Sequence, residues 1–158
     1  MKATLSAEDT LAIHEVIALY AHVNDNHHDN LEALEQLRLV FAENIIWEGV
    51  SPKGVEHLEG LDAIMPRYVQ AANVPSYTDH HMNSTIITSV VDGRVHTRTH
   101  FVAVRSDPDR MVTSGDYLDV LERTDDGWRI VERKIVSRIR NGAVVPRPAD
   151  VYDGWEIV

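Results

Sequence analysis

The sequence predicts an α+β domain in which helices pack on one face of a curved, mostly antiparallel sheet. Two observations carry that prediction. Between Ser6 and Val69 the apolar residues recur at helical spacing in three places, whereas from Thr85 to Arg138 the chain is rich in β-branched residues at strand spacing. Turn signals separate the predicted strands, Asp92-Gly93 and Asp125-Asp-Gly127 being the strongest.

Each element has its own signature. Ser6-Ala-Glu-Asp9 pairs a hydroxyl with a carboxylate three residues on, the pattern of a capping box. Ile13, Val16, Ile17 and Tyr20 follow on one face, so the first helix runs to about Val23. Asn24 to Asn30 is a polar break, and Leu31, Leu34, Leu37 and Phe41 mark a second helix. Ile45-Ile-Trp47 reads as a short strand, closed by Glu48-Gly49. Gly60 precedes a third helix with its stripe at Leu61, Ile64, Met65, Tyr68 and Val69. Four strands then form a meander: Thr85–Val91, Val95–Arg105, Met111–Arg123 and Trp128–Arg138. Pro146 and Pro148 favour an extended path for the last stretch, which carries Tyr152 and Trp155.

Composition narrows the function classes. At 158 residues and 44% hydrophobic, residues 1–158 are expected to form one domain with its own core. No cysteine is present, which excludes a disulfide framework and a thiolate metal site. A formal charge of −10 argues against binding a nucleic-acid backbone, and a small neutral or apolar ligand fits better. No stretch has the length and apolarity of a membrane span or signal peptide, so a cytoplasmic protein is expected. Nine histidines invite a metal hypothesis, yet no His-x-x-x-His pair falls on a predicted helix and no His-Glu-x-x-His run is present; His96 and His100 have that spacing on a predicted strand. Neither a metal nor an organic cofactor is expected.

Chemistry concentrates in two segments, Tyr20-Ala-His-Val-Asn-Asp25 and Asp79-His80-His81. A histidine oriented by a carboxylate is a common general base near neutral pH. These segments form an ordered set with Phe41-Ala-Glu-Asn-Ile-Ile-Trp47, Gly60 before a helix, Gly115-Asp-Tyr-Leu-Asp119 and Asp126-Gly-Trp-Arg-Ile130. In that order the chain resembles the SnoaL-like group of the nuclear transport factor 2-like superfamily over residues 6–138, leaving 139–158 as a C-terminal tail. The resemblance implies a cone-shaped half-barrel, three N-terminal helices over a curved sheet, around an apolar pocket. Relatives include scytalone dehydratase, lindane dehydrochlorinase, bile-acid dehydratase, polyketide cyclases and ketosteroid isomerase, and also members with no known catalysis. Several of those lyases use an Asp–His pair, and Asp25 and His81 are the matching positions.

On that basis Asp25 and His81 are the expected dyad, although a helix C-terminus disfavours a carboxylate by ~0.3–1 kcal/mol. Asp29 is the fallback carboxylate, and His27 and His28 read as solvated. His80 and His81, as strand neighbours, point to opposite faces. The resemblance favours His81, by the count from the family's histidine to the start of its apolar strand, and a one-residue change of register would exchange it with His80. Tyr20 is a candidate phenol for a substrate oxygen or a plain core residue. Trp47, Thr97, Phe101, Tyr117, Asp119 and Arg138 are further candidates for ligand contact, each with a packing or surface alternative. His96, Arg98 and His100 share the opposite strand face with Val102 and Val104, and this face is expected to meet solvent or a second subunit. A homo-oligomer follows, a dimer before a trimer, with the tail closing the pocket or reaching a neighbour. The expected activity is a cofactor-independent lyase or isomerase acting on a small, mainly apolar molecule. The competing expectation is a non-catalytic ligand-binding or assembly module of the same fold.

Overall fold

The computed structural model describes residues 5–26, 31–51, 53–72, 77–106 and 112–157, with the side chains of residues 26, 31, 72 and 81–83 also outside the description. The expectations for His27, His28 and Asp29 therefore lie outside the described residues. Helix α1 spans Ala7–Asn26. Its start is the capping box read from the sequence: Asp9 N–H donates to Ser6 Oγ at 2.9 Å, and Ser6 Oγ donates to Asp9 Oδ2 at 2.8 Å. The other carboxylate oxygen of Asp9 accepts from Trp128 Nε1 at 3.0 Å and from Arg123, so one cap also fastens the last hairpin to the helix.

The second helix is a 3-10 helix, Leu31–Leu39. A leucine every third residue suits a three-residue turn, in which positions i and i+3 stack directly. Leu34, Leu37 and Val40 are completely or almost completely buried. Helix α2, Leu61–Ala72, follows Gly60.

The strands are β1 Phe41–Ser51, β2 Gly54–Glu59, β3 Thr78–Val91, β4 Arg94–Arg105, β5 Val112–Thr124, β6 Gly127–Arg140 and the short β7 Ala143–Val144. Their order is β2-β1-β6-β5-β4-β3, with β7 on the far end of β6. The predicted meander is present, and β1 joins it parallel to β6, so the sheet is mixed and unclosed. Strand β2, which pairs with a longer β1 than expected, is an addition to the sequence reading. Asp92 and Gly93 both have positive φ, 51° and 80°, as a two-residue hairpin turn requires.

The inner face of the sheet meets the helices. Ile13, Ile17, Tyr20, Leu37, Phe41, Ile45, Ile64, Val95, Leu121 and Ile130 form one buried cluster there. The outer face carries a smaller cluster, Val50, Leu118 and Val136, covered by Val151, Tyr152 and Trp155. This corrects the expectation that the tail closes the pocket, since it packs on the outer face of its own sheet. Tyr152 Oη donates to Asp116 at 2.6 Å, Trp155 Nε1 donates to the Asp119 carbonyl at 3.3 Å, and Arg98 lies 4.2 Å from the centre of the Tyr152 ring. Aromatic side chains with one polar tip suit such a strap, because they cover apolar surface and still find an acceptor. His96, Arg98 and His100 do lie on this outer face, under or beside the tail rather than in open solvent.

Candidate active site

Asp25 sits in the last turn of α1, facing the first half of β3. Its Oδ2 accepts from the backbone N–H of His80 at 2.6 Å, and its Oδ1 bonds the His80 ring at Nδ1. Two donors from one residue offset the unfavourable end of the helix dipole. An ionised carboxylate can only accept, so Nδ1 is the protonated nitrogen of the neutral ring, the tautomer that leaves the lone pair on Nε2. Side-chain exposures of 8% for His80 and 16% for Asp25 leave the pair at the edge of solvent.

The residue joined to Asp25 is thus His80, not the expected His81, whose side chain lies outside the described residues. The reason is one of the two irregularities in β3, the one that separates His80 from Ile87. His80 pairs with Ala103 in one register, and Ile87 pairs with Thr97 in another, with the shift between Asn83 and Ile86. Ser84, inside that shift, has φ of 56°. A bulge of one residue inverts the parity of a strand. Counting back by twos from Ile87 therefore lands on residue 81, and the sheet presents residue 80 instead.

His80 lines a cavity of about 370 Å³ together with Tyr20, Trp47, Phe101 and Tyr117. That volume suits a small organic ligand. Phe101 and Tyr117 stack at 4.3 Å between ring centres, and Tyr20 meets His80 edge-on at 6.3 Å. Tyr68 Oη donates to Tyr20 Oη at 3.3 Å. Burial, and then the neighbouring Tyr20, push the phenols of Tyr68 and Tyr117 well above the usual tyrosine range. Both are therefore neutral hydrogen-bonding groups rather than bases.

Under these rings lies an ion pair closed to solvent. Arg133 donates to Asp119 through Nε at 2.7 Å and Nη2 at 2.8 Å. Its guanidinium lies 4.0 Å from the centre of the Tyr20 ring and 4.5 Å from that of Tyr117. Burial opposes the charge, yet the carboxylate beside it holds the guanidinium above its ordinary pKa. The pair thus sets the rings that wall the cavity.

Of the candidates from sequence, Tyr20, His80, Trp47, Phe101 and Tyr117 line the cavity. Three do not. Thr97 is fully buried in the layer beneath, and Asp119 is committed to Arg133. Arg138 points to the outer face, its Nε 3.5 Å from Asp116, because it directly follows Ser137, which faces the cavity. The sequence reading missed Arg67, Arg105 and Arg140 at the mouth. The alternation that selected Thr97 and Phe101 reaches Arg105 after two further inward positions, so that signal was available. Among the described residues, no group of three His, Asp or Glu side chains is placed to hold a metal ion, and no helix is long and apolar enough to cross a membrane.

Comparison with known proteins bears on the fold and the family. No curated protein matches the chain. The fold is shared with Kfla4162 from Kribbella flavida, which is 23% identical with a TM-score of 0.72, over 85% of this chain and 95% of that one. It is shared too with a Novosphingobium aromaticivorans protein provisionally assigned as a scytalone dehydratase, 20% identical with a TM-score of 0.71, over 88% of this chain and 90% of that one. A third neighbour, from the same organism, is the β subunit of a provisionally assigned aromatic-ring-hydroxylating dioxygenase, 16% identical with a TM-score of 0.66, over 89% and 92% of the two chains. At these identities the likeness is one of fold. The sequence profile of the SnoaL-like domain matches residues 5–134. The chain belongs to the SnoaL-like domain family.

Proposed function

We propose that the protein is a cofactor-independent lyase or isomerase that removes a carbon-bound proton from a small, mainly apolar substrate. The observation that carries this reading is the Asp25–His80 pair in the wall of an aromatic cavity. His80 Nε2 is the base. Asp25 fixes the tautomer through Nδ1–H and stabilises the imidazolium as it forms. Tyr20, hydrogen-bonded to both Tyr68 and Tyr117, presents the phenol that would turn toward a substrate oxygen. In an elimination that oxygen is the leaving hydroxyl. The C–H electrons become the new double bond, and the hydroxyl departs as water with the proton Tyr20 helps deliver. Double-bond migration and cyclisation begin with the same proton abstraction. Elimination is the first choice, because the family resemblance places Asp–His pairs among lyases, and one structural neighbour carries a dehydratase assignment.

The test is deuterium incorporation from D2O into a panel of small aromatic and alicyclic ketones and β-hydroxy ketones, followed by NMR. Wild-type protein should catalyse exchange or elimination for a subset. His80→Gln and Asp25→Asn should each lower the rate by roughly 10²–10⁴-fold, with unchanged circular dichroism. Equal rates in all three proteins would reject the dyad. The remaining reading would then be a binding or assembly module, a role in keeping with the subunit found among the structural neighbours.

A further inference from the structure

The mouth of the cavity differs in character from its depth. Arg105 ends the inward row of β4, and Arg140 stands beside Thr113 in register on β6. Both line the cavity, with the hydroxyl residues Thr78, Thr113 and Ser137 between and around them. Arg67, the third arginine of the mouth, is paired with Glu56 at 3.4 Å. Among the described residues, neither Arg105 nor Arg140 has a carboxylate partner, and Arg105 Nε is buried without an acceptor. In a chain of net charge −10, two uncommitted guanidinium groups at one end of an aromatic cavity need an explanation.

We propose that the substrate is an amphipathic carboxylate. Its carboxylate is held between Arg105 and Arg140, and its apolar body lies against Phe101, Tyr117 and Trp47. This deepens the reading above, since it takes the same cavity as the substrate site. Planar guanidinium forks match a planar carboxylate, and the hydroxyl side chains supply further donors. Two cations facing a monoanion also leave no surplus negative charge near Asp25. The sheet sets the spacing. His80 pairs with Ala103, two residues before Arg105. From strand rise and spacing, the Cα atoms of His80 and Arg105 stand roughly 8 Å apart. The carboxylate is therefore separated from the reacting carbon by about the length of one ring.

The test is calorimetric titration with 2-naphthoate and its neutral isostere 2-naphthamide. Wild-type protein should bind naphthoate roughly 10- to 100-fold more tightly than the amide, with the difference shrinking as salt rises. Arg105→Gln and Arg140→Gln should each reduce that preference, the double variant should remove it, and Arg105→Lys should retain part of it. Circular dichroism establishes that each variant is folded. Equal affinity for the two compounds, no saturable naphthoate binding at millimolar concentration, or a preference that survives in the double variant would each overturn the proposal. Failure of the dyad is read separately. Protein that catalyses no deuterium exchange but still prefers naphthoate through Arg105 and Arg140 rejects proton abstraction and leaves the carboxylate site standing.

Discussion

Asp119→Asn isolates the contribution of the buried ion pair with almost no change of shape. Both side chains of the pair are completely buried, and the two bonds measure 2.7 and 2.8 Å. Removing the negative charge leaves Arg133 buried with one neutral acceptor and the faces of Tyr20, Tyr117 and Phe41. Breaking a buried pair from one side costs about 3–5 kcal/mol. The aromatic cage and the remaining amide oxygen return a part of that, by about 0.5–2 kcal/mol, so the net loss is about 3 kcal/mol. For a chain of this length that lowers Tm by roughly 6–12 °C. Thermal and urea denaturation followed by circular dichroism measure it. Asp119→Leu combined with Arg133→Met removes both charges and should recover most of the loss, since an apolar replacement of a buried pair is often neutral. A fall of less than about 2 °C in Asp119→Asn, equivalent to under 1 kcal/mol, would show that Arg133 reaches water and does not order the rings.

Other outcomes follow from single contacts. Gly115→Ala places a methyl group 2.2 Å from the Val136 carbonyl oxygen and 3.0 Å from Phe101 Cε1, so it should destabilise by about 1–3 kcal/mol and weaken naphthoate binding by displacing Phe101; wild-type stability would refute the close approach. Burial, and then the nearby Arg94, lower the pKa of His96, which lies against Trp155 with Glu132 also near. A lowered folded pKa contributes stability that is complete above about 6.5, the ordinary value, and is lost as pH falls through the folded value. Acrylamide quenching of Trp155 and proteolysis of the tail should therefore rise as pH falls below that value, and His96→Phe should remove the dependence. Val104 and Val112 pair across strands, as do Ile139 and Val144, and all four are exposed on the part of the sheet the tail leaves uncovered. We expect this patch to join two copies in a dimer, with a trimer the alternative. Val104→Lys with Ile139→Lys should give a monomer in light scattering, and a monomeric wild type would refute the expectation.

Where local chemistry decides structure, the sequence was legible. Ser6 and Asp9 form the cap their spacing implies, and Asp92-Gly93 makes the turn that only positive φ permits. The meander follows because each hairpin is set by residues adjacent in sequence. What escaped depends on partners distant in sequence. Strand β2 is largely exposed and has no apolar alternation of its own; its pairing with β1 defines it. The tail lacks periodicity because two aromatic residues and Val151 do its docking. Arg133, a charge at the centre of an apolar cluster, goes against every pattern by which cores are recognised, and Asp119 fourteen residues away is what makes it tolerable there.

The site shows the same division more sharply. Asp25 and Tyr20 could be placed because α1 is a regular helix, so their positions follow from a periodicity that nothing interrupts. The histidine could not, because its face depends on the parity of β3, and parity is a sum over every residue between it and the apolar half of the strand. One bulge at Ser84 changes that sum by one, and no residue type nearby announces it. Arg105 presents the opposite case. Its strand pairs with β5 without a shift from Val95↔Leu121 to Val104↔Val112, so alternation is reliable as far as the mouth of the cavity. Net charge says little about that mouth because it averages the whole surface, whereas a ligand meets only the field of the groups around it. An acidic chain can therefore hold an anion at one end of a cavity whose other end keeps a carboxylate beside its base.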